Sequence, residues 1–339
     1  AQINHPFKVS DDETLIFFDT ETTGLKGTGT HIFLLGLLKD TGTQFELTQY
    51  VLADPSNEAA LLWESKFWQH AHTIISYNGK SFDWPQLEMR WTLNREHIPP
   101  LKAPRQIDLL HSSKRIWRDD LEGMKLTKVE TEKLGFMRVG DIPGHLAPII
   151  YFDAVKSGNA YSLLKVLKHN EWDLLSLITL YIHSTKLLIE KNHETSIAST
   201  NIGKWYGDLK YRSISKETLQ NVTNSFDQKE VAVAHFYLAQ HYKKDDEVEL
   251  ALKSFAIAAK YTQARMQEDA YLQQAIILEH KVKDFEKALQ MTERGIECAN
   301  SQSNTRSVAY QNRINKWEIR KERLSRKIIS RASANYDKD

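Results

Sequence analysis

Two acidic residues follow directly on an apolar run near the start of the chain. Residues 15–25 read Leu-Ile-Phe-Phe-Asp-Thr-Glu-Thr-Thr-Gly-Leu. A short run rich in aromatic and branched residues that ends in Thr-Thr-Gly predicts a buried strand followed by a turn. Because side chains alternate along a strand, Asp19 and Glu21 should point to one side and Thr20 to the other. Two carboxylates this close repel each other, and Mg²⁺ prefers such oxygen ligands, so the pair predicts a metal site.

The alternative for Asp19 and Glu21 is an incidental pair of acids at the end of a strand. Another acidic pair with the same spacing, Glu130 and Glu132, has no apolar run before it. That pair is typical of solvated charge on a surface helix. The apolar run at 15–18 therefore favours the metal site for the first pair.

A further acid follows the next predicted strand. Residues 73–85 read Thr-Ile-Ile-Ser-Tyr-Asn-Gly-Lys-Ser-Phe-Asp-Trp-Pro. This pattern predicts a strand at 73–77, an Asn-Gly turn and a helix that begins near Asp83, because Pro is favoured in the first turn of a helix. Asp83 could be a metal ligand, or it could be a simple helix N-cap, since Asp is a preferred residue there.

A histidine and another aspartate lie on a long helix predicted at 161–191. The apolar residues of this segment recur with helical spacing and give it a broad buried face. His169 and Asp173 are four residues apart, so they lie one above the other on the same side of the helix. Such a pair can belong to a functional site or form a hydrogen bond on the helix surface.

Taken in order, these segments resemble the motifs of the DEDD superfamily of exonucleases, which share the ribonuclease-H-like fold. Asp-x-Glu-Thr-x-Gly at 19–24 is similar to the first motif, Tyr-Asn-Gly-Lys-Ser-Phe-Asp at 77–83 to the second, and 169–173 to the third. The segments Ile107-Asp-Leu-Leu-His, Leu126-Thr-Lys-Val-Glu and Asp141-Ile-Pro-Gly resemble a narrower bacterial branch, the YprB-like proteins. The resemblance covers about residues 14–190.

The resemblance implies hydrolysis of phosphodiester bonds with two divalent metal ions, Mg²⁺ or Mn²⁺. It implies that Asp19 bridges both ions, that Glu21 and Asp173 complete one site, and that Asp83 serves the other. The expected catalytic residues are these four acids together with His169. Three further residues of the motifs are expected to contact the substrate: Thr22, Asn78 and Lys80.

The role of His169 is open from the sequence. Histidine-type members of the superfamily usually have four residues between the histidine and the last aspartate, whereas this chain has three, the spacing of the tyrosine-type members. One residue turns a helix by about 100°. With an unperturbed pKa of about 6.5, His169 could take the proton from the attacking water as general base. It could instead orient the site through a bond to Asp173.

The order of predicted elements indicates an α/β fold. Strands are predicted at 14–19, 31–39, 44–52 and 73–77, and helices at 56–69, 82–93 and 161–191. Residues 105–110 lead into a further helix that runs through residue 117. The first three strands have short connections and predict an antiparallel meander, and strand–helix alternation follows. This is the ribonuclease-H-like order, a mixed sheet of an antiparallel meander plus parallel strands with helices on both faces.

The second half of the chain is predicted to be helical. Periodicity is weak at 193–211, which predicts a domain boundary with a ribonuclease-H-like domain at 1–195 and an α-helical domain at 196–339. Residues 231–261 and 267–299 overlay on each other with an offset of 36–37 residues. They resemble tetratricopeptide hairpins, which could bind a protein partner, and an ordinary helical bundle is the alternative.

A last helix is predicted at 304–332, with two stripes along it. The apolar stripe should cover the preceding hairpin and consists of Tyr310, Ile314, Trp317, Leu324 and Ile328. The basic stripe consists of Arg313, Lys316, Arg320, Arg323 and Lys327. The basic stripe could guide a substrate strand, bind an acidic partner or remain a solvated face.

Composition and charge agree with a globular, cytoplasmic protein. The formal net charge is +1, so attraction to nucleic acid would have to be local, as at 114–118, where three cations could hold phosphates or be ordinary surface charge. No apolar run has the roughly 18–20 residues that a membrane span needs. The single cysteine, Cys298, cannot form an internal disulfide, which suits a reducing compartment.

The combined prediction is a metal-dependent 3′→5′ exonuclease that hydrolyses single-stranded nucleic acid, with DNA favoured. A ribonuclease of the same mechanism is one alternative, because the contacts to the 2′-hydroxyl that separate RNA from DNA cannot be located from sequence. A non-catalytic adaptor that binds nucleic acid and a protein partner through its helical repeats is the other. The presence of all four acids argues against lost activity.

Overall fold

The structure of the chain is a computed structural model. It describes residues 6–7, 9, 13–25, 27–69, 72–190, 194–301 and 307–336. The chain divides into two compact units, residues 1–190 and 191–339. The domain bounds predicted from the sequence, 1–195 and 196–339, stay a prediction.

The first unit is built on a five-stranded sheet. Its strands are β1 (Thr14–Thr22), β2 (Ile32–Asp40), β3 (Phe45–Val51), β4 (His72–Ser76) and β5 (Arg105–Asp108). They lie in the order β3-β2-β1-β4-β5. The β1–β2 and β2–β3 pairs are antiparallel, whereas β1–β4 and β4–β5 are parallel. The predicted α/β class, with an antiparallel meander joined to parallel strands, is confirmed.

Six helices accompany this sheet in the described residues. They are α1 (Glu58–Glu64), α2 (Asp83–Leu93), α3 (Leu109–Trp117), α4 (Leu126–Val129, continued by a π-helical turn at Glu130–Leu134), α5 (Ala147–Ser157) and α6 (Leu163–Ile189). The predicted helix at 56–69 is wrong in its bounds. Asp54 caps a 3₁₀ turn before α1 by accepting a hydrogen bond from the backbone N of Ser56 at 2.8 Å, and Lys66 leaves the helical path with φ of 57°.

Helices cover both faces of the sheet at β1. The ring of Phe17 packs edge-on against Tyr181 of α6, with centroids 5.8 Å apart. Phe18 points to the opposite face and packs against Trp84 of α2, with centroids 6.4 Å apart. Because side chains alternate along a strand, the acids of β1 share the α6 face with Phe17, and Thr20 shares the α2 face with Phe18.

The second unit is helical throughout its described elements. They are α7 (Ser196–Asp208), α8 (Arg212–Val222), α9 (Gln228–Lys244), α10 (Val248–Tyr261), α11 (Ala264–Ile277, continued by a π-helical turn at Leu278–Val282), α12 (Phe285–Ser301) and α13 (Val308–Tyr336). α7 occupies the stretch whose weak periodicity predicted a boundary, and Thr195 caps it by accepting a hydrogen bond from Ala198 N at 3.1 Å. The starts of α9 and α10 repeat in α11 and α12 with the offset of the sequence overlay. The tetratricopeptide resemblance stays a prediction.

The basic stripe on α13 is largely engaged within its own unit. Glu279 is fully buried, and it accepts hydrogen bonds from Arg320 at 2.7 Å, Arg323 at 2.7 and 3.0 Å and Lys327 at 2.7 Å. Although burial opposes ionisation, the bonds from Arg323 and Lys327 lower the pKa of Glu279 to about 2. Arg313 lies 3.4 Å from Glu268. The stripe therefore attaches α13 to the unit and is not the fully solvated face that the sequence allowed.

Within the described ranges, none of the helices combines the length and the apolar character that crossing a bilayer requires.

Candidate active site

Two acids and a histidine lie close together where α6 packs against β1. Glu21 lies at the end of β1, next to a register shift between residues 21 and 22 that ends regular pairing with β2. The Nε2 atom of His169 lies 3.9 Å from Oε1 of Glu21 and 3.4 Å from Oδ2 of Asp173. In the described part of the chain, one ligand atom from each of these three residues lies within 4.8 Å of the other two. The structure thus brings these three residues together, and their roles as catalytic residues and metal ligands stay predictions.

Asp19 lies beside this group and is held by an asparagine of α6. Asn170 Nδ2 donates to Oδ2 of Asp19 at 2.9 Å, and Gln49 Nε2 of β3 donates to Oδ1 of Asn170, also at 2.9 Å. Gly36 of β2 pairs with Asp19, and a Cβ atom at position 36 would lie 2.1 Å from Asn170 Oδ1. The absence of a side chain at position 36 therefore allows Asn170 to reach the acid.

Asp83 reaches the site from the other face of the sheet. It is the first residue of α2, and its Oδ1 accepts hydrogen bonds from Thr20 Oγ1 at 2.5 Å and Thr20 N at 3.2 Å. Because Thr20 lies between Asp19 and Glu21 in β1, these bonds fix Asp83 close to both. Asp83 and Asp19 lie outside the 4.8 Å group of Glu21, His169 and Asp173.

The three expected substrate contacts lie in different environments. Asn78 and Lys80 are exposed in the turn between β4 and α2, where Asn78 has a φ of 67°. Buried Asp108 holds this turn by accepting hydrogen bonds from the backbone N of Asn78 at 2.8 Å and of Lys80 at 3.2 Å. Thr22 is buried, and its hydroxyl donates to the carbonyl of Gly24 at 2.8 Å.

Sequence reasoning missed an arginine at the centre of the site. The side chain of Arg138 is 5% exposed and binds buried Glu130 through Nη2 at 2.5 Å and Nε at 2.8 Å. The same guanidinium donates to Oδ1 of Asp173 at 2.6 Å and to Oδ2 of Asp141 at 3.2 Å. Oδ1 of Asp141 in turn lies 2.6 Å from Nδ1 of His169. Arg138 and Asp141 thus hold Asp173 and the imidazole of His169 in place.

The sequence profile described as the RNase_H superfamily matches residues 16–185, a range that runs from β1 into α6 and contains all four acids. The chain belongs to the ribonuclease H superfamily. It is also 35% identical over 320 residues to the uncharacterized protein YprB of Bacillus subtilis (strain 168), and the match covers 93% of this chain and 75% of YprB.

Two solved structures also show similarity to this superfamily member. One is the family B DNA polymerase from the archaeon Pyrobaculum calidifontis, with a TM-score of 0.39, 14% identity and coverage of 66% of this chain and 29% of the polymerase. The other is Escherichia coli exonuclease I in complex with a dA16 oligonucleotide, with a TM-score of 0.31, 14% identity and coverage of 45% of each chain. The chain thus spans less than half the length of either protein.

In this ribonuclease H superfamily member, the four acids hold protons more tightly than free carboxyl groups do. Burial first, and then repulsion from Asp173 and Asp83, raises the pKa of Glu21 to about 8 and that of Asp19 well above its usual value. Burial also raises the pKa of Asp83 to about 6 and, against the opposing charge of Arg138, that of Asp173. Ionising all four acids would therefore place several negative charges close together, which a cation would neutralise.

The donor set of the site fits divalent metal ions. Glu21 and Asp173 offer carboxylate oxygens close together, as Mg²⁺ and Mn²⁺ prefer. In each of the three aspartates, one oxygen is held by a donor of the protein: Asn170 for Asp19, Thr20 for Asp83 and Arg138 for Asp173. These bonds orient the carboxylates, and in Asp173 the second oxygen, Oδ2, lies in the group with Glu21 and His169 that could hold an ion.

The raised pKa values predict how pH and metal ions affect stability. Groups that bind protons more tightly in the folded state stabilise it at low pH, and this stability is lost as the pH rises through their folded pKa values of about 6 for Asp83 and about 8 for Glu21. We expect the melting temperature in EDTA to fall between about pH 5 and about pH 8. Since ions bind the deprotonated carboxylates, Mn²⁺ at about a hundredfold excess over its Kd should raise the melting temperature by roughly 5–10 °C at the higher pH and much less at the lower.

Thermal unfolding at both pH values, with EDTA or Mn²⁺, measures this effect. Glu132→Gln is the matched control, because Glu132 is an exposed acid of the π-helical turn that binds only Lys128 at 2.9 Å among the described residues. Glu21→Gln should weaken the pH dependence, whereas Glu132→Gln should leave it unchanged. A metal effect of equal size at both pH values would contradict a site made of these carboxylates.

Proposed function

We propose that this chain is a divalent-metal-dependent 3′→5′ exonuclease that hydrolyses single-stranded nucleic acid, with DNA favoured over RNA. The observation that carries the proposal is the convergence of Glu21, Asp173 and His169, flanked by Asp19 and Asp83, in a partly buried site whose acids repel one another. Membership of the ribonuclease H superfamily supports it. The direction of attack and the preference for a free end come from the resemblance to the DEDD exonucleases.

Each acid has a distinct place in the proposed reaction. Two bound ions would supply an activated water and neutralise the charge that develops on the leaving 3′ oxygen. Asp19 is proposed to bridge both ions, Glu21 and Asp173 to complete one site, and Asp83 to serve the other. Asn170 keeps one oxygen of Asp19 in a fixed direction, so the shared ligand is oriented before substrate binds.

The surroundings of His169 favour its role as general base. The carboxylate of Asp141 accepts a hydrogen bond from Nδ1 of the imidazole. The other ring nitrogen, Nε2, therefore faces Glu21 and Asp173. A neutral imidazole that donates from Nδ1 has its lone pair on Nε2, the atom that would take the proton. The alternative, in which His169 only orients Asp173, uses the same 3.4 Å contact.

The proposed substrate contacts and domains complete the assignment. Asn78 and Lys80 are exposed and free to approach a strand, whereas Thr22 would act from its buried position beside Gly24. We propose residues 1–195 as the nuclease domain. We propose residues 196–339 as a tetratricopeptide-like domain that binds a protein partner.

A digestion time course tests the function. Single-stranded DNA and RNA of one sequence, each labelled at the 5′ or the 3′ end, and the matching DNA duplex would be incubated with Mn²⁺, Mg²⁺ or EDTA. We expect a ladder that shortens from the 3′ end of 5′-labelled single-stranded DNA, immediate release of a 3′ label, and no reaction in EDTA. Faster degradation of RNA would favour the ribonuclease alternative, and internal cuts would contradict exonuclease action. No degradation under any metal would favour the adaptor.

A further inference from the structure

An exposed groove lies on the face of α6 next to the acids. Its volume is about 370 Å³, and it is lined by Val139, Gly140, Tyr161, Leu164, Lys165, Lys168 and Trp172. Large apolar side chains in it are strongly exposed: Tyr161 by 76%, Val139 by 83% and Leu164 by 58%. Exposed apolar surface of this kind, rimmed by charged groups, is typical of a binding site.

The two segments that line the groove also carry residues of the candidate active site. Trp172 precedes Asp173 and Lys168 precedes His169 on α6, so each groove residue is about 100° around the helix from a residue of the site. On the opposite wall, Val139 and Gly140 lie between Arg138 and Asp141, which hold the acid and the imidazole. The groove therefore lies next to the candidate active site, on a neighbouring side of α6.

The groove combines flat rings with cations. The Trp172 ring is held by the edge of Phe136, with centroids 6.5 Å apart, and by Lys168, whose Nζ lies 5.4 Å from the ring centroid. Lys168 also bonds to Glu171 at 2.8 Å, whereas Lys165 is exposed one helical turn earlier. Aromatic faces stack on nucleobases, and lysines attract the phosphates between them.

We propose that this groove binds the single strand that leads into the active site, with bases against Tyr161 and Trp172 and phosphates near Lys165 and Lys168. The proposal deepens the proposed function and rests on it. A single strand is the occupant because its base faces are accessible, whereas a duplex hides them in its stack. The groove offers apolar and aromatic surface to those faces. It should therefore prefer single strands over duplexes without recognising a particular base sequence.

Binding without hydrolysis tests the groove directly. The probe is a fluorescein-labelled, phosphorothioate oligothymidylate of about 12 nucleotides in calcium buffer, followed by anisotropy over a range of salt concentrations. We expect Tyr161→Ala to weaken binding about tenfold, as the loss of one stacking contact does. Lys165→Ala should lower the slope of log K against log salt by about 0.7, the value for one phosphate contact with a single strand.

Matched controls separate the groove from general effects. Phe45→Ala and Lys102→Ala remove an exposed aromatic residue and an exposed lysine of the same unit outside the groove, and both should bind as the wild type does. Tyr161 and Lys165 are exposed, so their variants should keep the wild-type melting temperature. Unchanged binding by both groove variants, or equal affinity for the oligonucleotide and its duplex, would overturn the proposal.

A second, smaller substrate distinguishes a failure of the groove proposal from a failure of the exonuclease proposal. Thymidine 5′-p-nitrophenyl phosphate is too short to occupy the groove, so Tyr161→Ala should hydrolyse it at the wild-type rate in Mn²⁺. Loss of oligonucleotide affinity with this rate unchanged supports the groove. If the wild type hydrolyses neither substrate but binds the oligonucleotide through Tyr161, the exonuclease proposal fails and the groove stands as a binding site.

Discussion

Asp19→Asn is expected to abolish turnover and, in the same protein, to raise the melting temperature of the metal-free form. Asp19 is the proposed ligand of both ions, and each ion supplies several kcal/mol of transition-state stabilisation, so the rate should fall by at least about 10⁴-fold. The buried carboxylate of Asp19 is also repelled by Asp173 and Asp83, which raises its pKa. An amide removes that repulsion and can still accept the hydrogen bond from Asn170.

The opposite signs of the two effects make the result diagnostic. A merely structural Asp19 would lose stability when replaced, and activity would fall with it. Initial rates on labelled single-stranded DNA and melting temperatures in EDTA measure the two effects at about pH 8, where the repulsion destabilises the folded state more than it does at about pH 5. We expect an increase of a few degrees, since about 1 kcal/mol corresponds to about 2–4 °C for a unit of this size.

His169→Ala provides the comparison within the same site. The four acids remain in that variant, so the ions should still bind and a residual rate should persist, lower by about 10²–10⁴-fold if His169 is the base. Asp19→Asn should also lose the stabilisation by Mn²⁺, whereas His169→Ala should keep most of it. Turnover by Asp19→Asn within tenfold of the wild-type rate would contradict the two-ion proposal.

The parts of the molecule that follow from local pattern could be predicted from sequence. The apolar run before Asp19 specifies a strand, and alternation along it places Asp19 and Glu21 on the face that α6 covers, as Phe17 and Tyr181 show. Spacing of four residues likewise places His169 and Asp173 on one side of α6. These features depend on the alternation of side chains along a strand and on the spacing of residues along a helix, and both can be determined from the sequence.

The residues that hold the site in place depend on tertiary contacts and could not be predicted in the same way. Arg138 lies in a segment without secondary structure, and its partners come from the π-helical turn at Glu130 and from α6. The prediction that Glu130 is solvated surface charge is wrong, because this residue is 1% exposed. Asn170 gave one usable signal, because it is a polar residue on the buried face of α6.

The helical unit also has features that depend on tertiary contacts and could not be predicted from local sequence. No helix was expected at α7, because its sequence has small and polar residues without clear periodicity. The helix instead depends on its Thr195 cap and on close packing, as at Gly203, where a Cβ atom would lie 2.7 Å from Leu219. The basic residues of α13 were read as a surface stripe because buried Glu279, which binds three of them, lies more than forty residues earlier in the chain.

The buried ion pair of Arg138 and Glu130 leads to the second large effect. Arg138→Met is expected to destabilise the first unit by about 3–5 kcal/mol, because it leaves the carboxylate of Glu130 buried without its partner. It also removes the donor that orients Asp173 and Asp141, so turnover should fall together with stability. Arg95→Met is the matched control, since Arg95 is exposed and its guanidinium donates a hydrogen bond to the carbonyl of Thr92 at 3.2 Å and to no buried carboxylate among the described residues.

The double variant Arg138→Met/Glu130→Gln separates the two roles of the arginine. With both buried charges gone, much of the lost stability should return, and a double-mutant cycle on the free energy of unfolding should give a coupling of at least about 1 kcal/mol. Turnover should stay low, because Asp173 still lacks the donor that fixed its direction. If activity returned with stability, Arg138 would act only by stabilising the fold. If Arg138→Met melted at the wild-type temperature, the buried pair itself would be refuted.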